Sequence, residues 1–165
     1  MQRKHITEIL HYLGEEDLPS GAVNPPLFQT SIFSFKDFDD FSTAISDETN
    51  HFLYTRGNNP TVNILEQKLA ALEHAERAKL FASGVAAIVS SISAFVQSGD
   101  HIVTIKDCYS WTSTYVAKYM ARFGVEHTFV EGSDANELEA ALRPNTKIIY
   151  LESPTTFTFK LQDLT

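Results

Sequence analysis

Ser83-Gly84 interrupts a run of apolar and small residues, with Ala78-Lys79-Leu80-Phe81-Ala82 before it and Val85-Ala86-Ala87-Ile88-Val89 after it. The pattern predicts a strand, a tight turn and the start of a helix. Small residues at such a turn let an anion reach the first unpaired backbone N–H groups, where the helix dipole also favours negative charge. The Ser83 hydroxyl adds a donor, so the turn has the makings of a phosphate cup. Many α/β proteins carry Ser-Gly at such turns with no ligand, and the turn alone settles nothing. Two more chemistry-bearing residues follow predicted strands. Tyr109 lies in the loop Lys106-Asp107-Cys108-Tyr109-Ser110, after the β-branched run His101–Ile105. Glu152 opens Glu152-Ser153-Pro154, after Lys147-Ile148-Ile149-Tyr150-Leu151. Ligands of parallel α/β sheets sit at the C-terminal ends of strands, and these three positions all fall there.

The elements that must position them alternate. Asn59-Pro60 is a helix start, with a capping side chain and then proline at the first helical position. Val62, Leu65, Leu69 and Leu72 recur behind it at helical spacing. Strand Ala78–Ala82, a helix from Gly84 to about Val96 and strand His101–Ile105 follow. Trp111, Tyr115, Tyr119 and Phe123 form a helical stripe closed by Gly124, with Trp111 assigned to the core. Then come strand 125–130, a short helix with Asp134 and Glu137 as a capping box, and strand 147–151. From residue 62 onward the rhythm of helix and strand predicts a parallel sheet covered on both faces. Upstream, Pro25-Pro26 forbids helix, and Phe28, Phe33, Phe35, Phe38 and Phe41 crowd an extended arm. Such an arm suits packing on another subunit. The expected division is an arm over residues 1–60 and the first part of an α/β domain over 61–165.

At 165 residues and 43% hydrophobic content, the chain is long and apolar enough to bury a core. A formal net charge of −8, with no Lys/Arg run, argues against a general nucleic-acid binder. The single cysteine, Cys108, excludes an intrachain disulfide and suits a reducing compartment. Neither a signal peptide nor a membrane-length apolar run is visible, and the expected location is cytoplasmic. Motifs for metal or dinucleotide binding are lacking, so no metal site is expected.

Tyr54-Thr55-Arg56-Gly57-Asn58-Asn59-Pro60-Thr61, Ala82-Ser83-Gly84-Val85-Ala86-Ala87-Ile88, the Tyr109 loop and Glu152-Ser153-Pro154, in this order, resemble the Cys/Met-metabolism family of pyridoxal-phosphate enzymes. Gly21-Ala22-Val23-Asn24-Pro25-Pro26 and Gln29-Thr30-Ser31 are similar to that family's N-terminal arm. The resemblance implies a fold type I large domain, incomplete here, and pyridoxal 5'-phosphate as cofactor. It also implies an amino-acid substrate and a homo-oligomer, a dimer of dimers in the full-length enzyme. Ser83, Gly84 and the Val85 amide would cradle the cofactor phosphate, although the family more often has methionine at the Val85 position. Tyr54 and Arg56 would reach a neighbouring subunit's phosphate, for which a phenol and a guanidinium fork are apt. Tyr109 would stack on the cofactor ring and serve in acid–base steps, and Cys108 beside it would only pack. Glu152 matches the family's acidic residue near the cofactor. Thr156 stands where asparagine usually bonds the cofactor's phenolic oxygen, and Phe157, Thr158 and Phe159 replace a polar run.

The family's catalytic lysine, and the aspartate that pairs with the pyridine nitrogen, lie beyond the stretch matched by these motifs. The expectation is therefore the N-terminal part of an enzyme of β- or γ-elimination or γ-replacement on sulfur amino acids or activated homoserine, inactive alone. Two other readings compete. One is a non-catalytic subunit or decoy that docks on a full-length relative; the other, an unrelated phosphate- or nucleotide-binding α/β domain, leaves the Tyr-x-Arg motif unexplained.

Overall fold

The computed structural model describes residues 5–162 and shows two compact units, Met1–Leu80 and Phe81–Thr165. In the first unit, helix α1 (Ile6–His11) packs on α3 (Pro60–Leu72). The Lys68 ammonium ties them together by donating to the Leu10 carbonyl at 2.8 Å and to the Glu15 carboxylate. Asn59 caps α3 as its residue type predicts, its side chain accepting from the Thr61 N–H at 2.9 Å. The arm is not extended throughout. Asp37 caps a helix, α2 (Phe38–Ser46), by accepting from the Asp40 N–H at 2.9 Å. The cap and the i, i+3, i+7 spacing of Phe38, Phe41 and Ile45 are its sequence signature.

The rest of the arm is stitched to the segment that carries Tyr54 and Arg56. Ile32 and Tyr54 form an antiparallel bridge, flanked by Phe33 N–H to Leu53 carbonyl (3.3 Å) and Thr55 N–H to Ser31 carbonyl (3.0 Å). Farther along, the Asn59 amide donates to the Phe28 carbonyl at 2.9 Å and the Thr61 hydroxyl to the Pro26 carbonyl at 2.8 Å. These bonds replace a regular ladder, which Pro25 and Pro26 preclude.

The second unit holds a parallel sheet in the order β2-β1-β3, formed by β1 (His101–Ile105), β2 (Glu126–Val130) and β3 (Thr146–Tyr150). All five residues of the central strand β1 are buried, because helices or loops cover both faces. Ile102 joins Ile92, Val116, Met120 and Val125 on one side; Val103 and Ile105 join Cys108 and Val130 on the other. Helix α4 (Gly84–Ser93) packs against α5 (Ser110–Thr114), which continues through a π turn (Tyr115–Tyr119) and a 3-10 turn (Met120–Phe123). The Ser93 and Tyr115 hydroxyls meet at 2.6 Å. Gly124 ends the run in the left-handed region, as its type predicts. Helix α6 (Ala135–Ala141) connects β2 to β3.

Three local expectations fail. The stretch Ala78–Ala82 is not a strand: among the described residues no neighbouring strand pairs with it, and the boundary between the units falls inside it. Its apolar side chains stay accessible, Leu80 at 37% and Phe81 at 46%. Trp111 is 59% exposed rather than in the core; of its stripe Tyr119 and Phe123 are exposed too, and only Tyr115 packs against the core. Asp134 and Glu137 do not form a reciprocal box. Asp134 accepts from the Asn136 N–H, while Glu137 turns back to accept from the Glu131 and Gly132 N–H groups at 2.9 and 3.2 Å.

Candidate active site

Of the three predicted strand ends, Tyr109 and Glu152 come together, where β1 and β3 are neighbours. Tyr109 is the N-cap of α5 and its side chain caps nothing, so its own N–H precedes the helix and needs an acceptor. Glu152, 43 residues away and just past β3, supplies it: Oε2 accepts the Tyr109 N–H at 2.8 Å. The other carboxylate oxygen accepts the Thr156 hydroxyl at 2.5 Å. Tyr109, Glu152 and Thr156 thus form one hydrogen-bonded cluster at the C-terminal end of the sheet, and all three are half-buried.

Behind this cluster lie the buried side chains of Val103, Ile105, Cys108 and Val130. Burial pushes the Cys108 thiol up, and the Thr104 hydroxyl contacts it at 3.8 Å. A buried thiol held neutral is a packing group, in keeping with its residue environment. Burial likewise raises the Tyr150 phenol, with the Thr112 hydroxyl opposing. Two positions before Tyr109, Asp107 accepts from the Thr158 hydroxyl at 3.2 Å and pairs with the Lys160 ammonium at 2.7 Å. Those contacts hold the Asp107 carboxyl below its ordinary value, the Lys160 bond foremost. Asp107, Thr158 and Lys160 have no local sequence signal, because about fifty residues separate the partners.

The Ser83 turn stands apart from this cluster in sequence but within the same unit. Ser83 is the N-cap of α4, its Oγ accepting from the Ala86 N–H at 3.1 Å. The hydroxyl proton stays available to an anion. Among the described residues the Gly84 and Val85 N–H groups have no acceptor, and a Cβ placed on Gly84 meets nothing within 4 Å. An exposed helix N-terminus with two free amides, a hydroxyl and open space fits a phosphate monoester. In the first unit, the Arg56 guanidinium lies 4.8 Å from the centroid of the Tyr54 ring, a cation–π pair on the loop that follows the bridge. Among the described residues no three His, Cys, Asp or Glu side chains gather as a metal site, and no helix is long and apolar enough to cross a membrane.

Comparison with known proteins shows the family. The model of the family described as Cys/Met metabolism PLP-dependent enzyme matches residues 6–165. An L-methionine gamma-lyase of Treponema denticola is 41% identical over 134 residues, covering 81% of this chain and 33% of the relative. The cystathionine beta-lyase MetC of Bacillus subtilis is 36% identical over 158 residues, covering 96% of this chain and 38% of the relative. The crystal structure of MetB from Corynebacterium glutamicum superposes with a TM-score of 0.85 at 32% identity, covering 97% of this chain and 40% of that one. The chain therefore spans between a third and two fifths of the length of these relatives.

Proposed function

The chain belongs to the Cys/Met-metabolism family of pyridoxal-phosphate-dependent enzymes, and from that premise we propose that it forms the phosphate- and ring-binding part of an enzyme of β- or γ-elimination or γ-replacement. The substrate class is sulfur amino acids or activated homoserine. The α4 N-terminus carries the reading, where Ser83 caps the helix and the Gly84 and Val85 amides face open space. When bound, pyridoxal 5'-phosphate supplies an electron sink for charge developing at the substrate Cα. The residues of this chain bind and orient. The Ser83 hydroxyl and the two amides would hold the phosphate oxygens, and the Tyr109 ring would cover the pyridine face with its phenol oxygen available to hold or pass on a proton.

Residues 1–60 act as an intersubunit arm. The Tyr54–Arg56 pair completes the phosphate site of a neighbouring copy, within the homotetramer expected of the whole enzyme. A dianion held by amide dipoles gains from a guanidinium, and symmetric assemblies reuse such a contact reciprocally. The resemblance puts the family's catalytic lysine beyond the motifs matched here.

The test is equilibrium binding of pyridoxal 5'-phosphate to the purified chain, with pyridoxal lacking the phosphate as the comparison. Preference for the phosphorylated form, lost in Ser83→Asp, is the expected result. Equal weak binding of both, unchanged in that variant, overturns the assignment.

A further inference from the structure

We propose that Glu152 and Thr156 are positioning residues, which set the direction of the Tyr109 ring through its backbone and do not themselves hold the cofactor. Both carboxylate oxygens are engaged, Oε2 by the Tyr109 N–H at 2.8 Å and Oε1 by the Thr156 hydroxyl at 2.5 Å. The only proton Thr156 has to donate is spent on Glu152. At Tyr109 the backbone is fixed from both sides. Its N–H goes to Glu152, and its carbonyl accepts from the Thr112 and Ser113 N–H groups at 2.8 and 3.2 Å. With the main chain pinned, only the few staggered side-chain rotamers remain for the ring.

A second tie acts on the same loop. Asp107 accepts from Thr158 at 3.2 Å and from Lys160 at 2.7 Å. The segment that bears them is closed on itself, Thr155 N–H to Lys160 carbonyl at 2.9 Å and Lys160 N–H to Thr155 Oγ at 2.8 Å. The loop after β1 is thus held at positions 107 and 109 by one short segment after β3. Ionised acceptors on backbone N–H groups are the stronger kind of hydrogen bond, which suits a clamp on a loop residue.

The inference deepens the proposed function and rests on its placement of Tyr109 against the cofactor ring. Its test separates the two by reading the loop without cofactor and then with it. Amide hydrogen exchange at Tyr109, followed by NMR on the 165-residue chain, reports the clamp directly. Glu152→Ala is expected to speed exchange about tenfold or more, the scale of one lost charge-assisted bond. Glu152→Gln retains an acceptor for Tyr109 and offers its amide to Thr156, so it is expected to restore protection although the charge is gone. Thr156→Val frees one carboxylate oxygen and is expected to fall between, which keeps the test open should Glu152→Ala not fold.

Pyridoxal 5'-phosphate affinity is then compared across the same variants. Glu152→Ala and Tyr109→Leu are expected to weaken binding, with no further loss when combined, and Glu152→Gln to bind as the parent does. Unchanged Tyr109 exchange in Glu152→Ala overturns the inference. So does Glu152→Gln behaving like Glu152→Ala, which makes the charge itself the requirement. Should the exchange pattern hold while Tyr109→Leu binds normally, the clamp stands and the placement of Tyr109 on the ring is what fails.

Discussion

Ser83 carries two duties that a single substitution separates. Its Oγ caps α4, and its proton and the following amides face the space assigned to phosphate. Ser83→Ala is expected to cost about 1 kcal/mol of stability, the usual value of a lost N-cap. Ser83→Asp keeps the cap and the favourable charge at the helix N-terminus, yet sets a carboxylate against the phosphate. Urea denaturation of both variants, with cofactor titrations beside it, is expected to show Ser83→Asp as stable as the parent but unable to prefer pyridoxal 5'-phosphate over pyridoxal. His101 is a second residue with a definite prediction. It is fully buried at the start of β1, its ring nitrogens 2.8 Å from the Thr146 hydroxyl and 2.9 Å from that of Thr128. Burial, then the Arg143 guanidinium, lowers its pKa from 6.5, with Glu126 opposing and His127 adding slightly. The folded chain therefore binds fewer protons there than the unfolded chain, so stability present above the unfolded value drains away as pH falls through the window below about 6.5. Denaturation midpoints between about pH 5 and 7.5 are expected to decline toward acid in the parent. His101→Asn is expected to flatten that slope.

Among the elements, the turn between β2 and α6 is the least tolerant of change. Gly132 is buried with φ +74°, and a Cβ built on it lies 2.2 Å from Ile105 Cγ2 in the central strand. The left-handed backbone and the overlap act together, so Gly132→Ala is expected to cost about 2–4 kcal/mol, read from urea midpoints. Glu137 closes the same turn by accepting both the Glu131 and Gly132 N–H groups. Its spacing from Asp134 is that of a capping box, but a carboxylate three residues into a helix can reach any nearby free donor. Here the preceding turn presents two. The helix start at Asn59-Pro60 behaved as its residue types predict, because both partners of that cap lie within two residues of each other. Helix α2 rests on equally local signals, with Asp37 as cap and Phe38, Phe41 and Ile45 at helical spacing, although the expectation for this stretch is an extended arm.

At the scale of the whole molecule, the proposed assembly gives a complementation test. In that proposed assembly each site would take Ser83 from one copy and Arg56 from another, so Ser83→Asp and Arg56→Ala should each remove cofactor binding when alone. Mixed in equal amounts and allowed to exchange, they form pairs in which one site carries both lesions and the other carries none. Recovery of about a quarter of the binding capacity is expected for random pairing of two-fold partners. No recovery, with exchange of copies verified, would place Arg56 in its own chain's site. The sheet points the same way at the level of stability. Among the described residues β2 and β3 each have one neighbour only, and Ile149 on β3 is 46% exposed. Parallel sheets with open edges pair readily with other chains, so the purified chain is expected to sediment as concentration-dependent oligomers.

The helix from Pro60 with its cap at Asn59, the helix start at Ser83-Gly84, the order of strands and helices from His101 onward, the glycine stop at Gly124 and the buried character of His101–Ile105 were all present in the sequence by itself. Each depends on residue type and on partners within one helical turn, or on a hydrophobic period, and both are local quantities. Tertiary structure alone decided what pairs with what. Ala78–Ala82 has the composition of a strand but finds no partner among the described residues, and Trp111 has a core residue's chemistry on an exposed side of its helix. Above all, the sequence marked Tyr109 and Glu152 as ends of strands, whereas the fold made them a hydrogen-bonded pair across 43 residues by setting β1 beside β3. A carboxylate's partner is chosen by the backbone donors that the folded chain leaves unpaired, and that choice exists only once the sheet has formed.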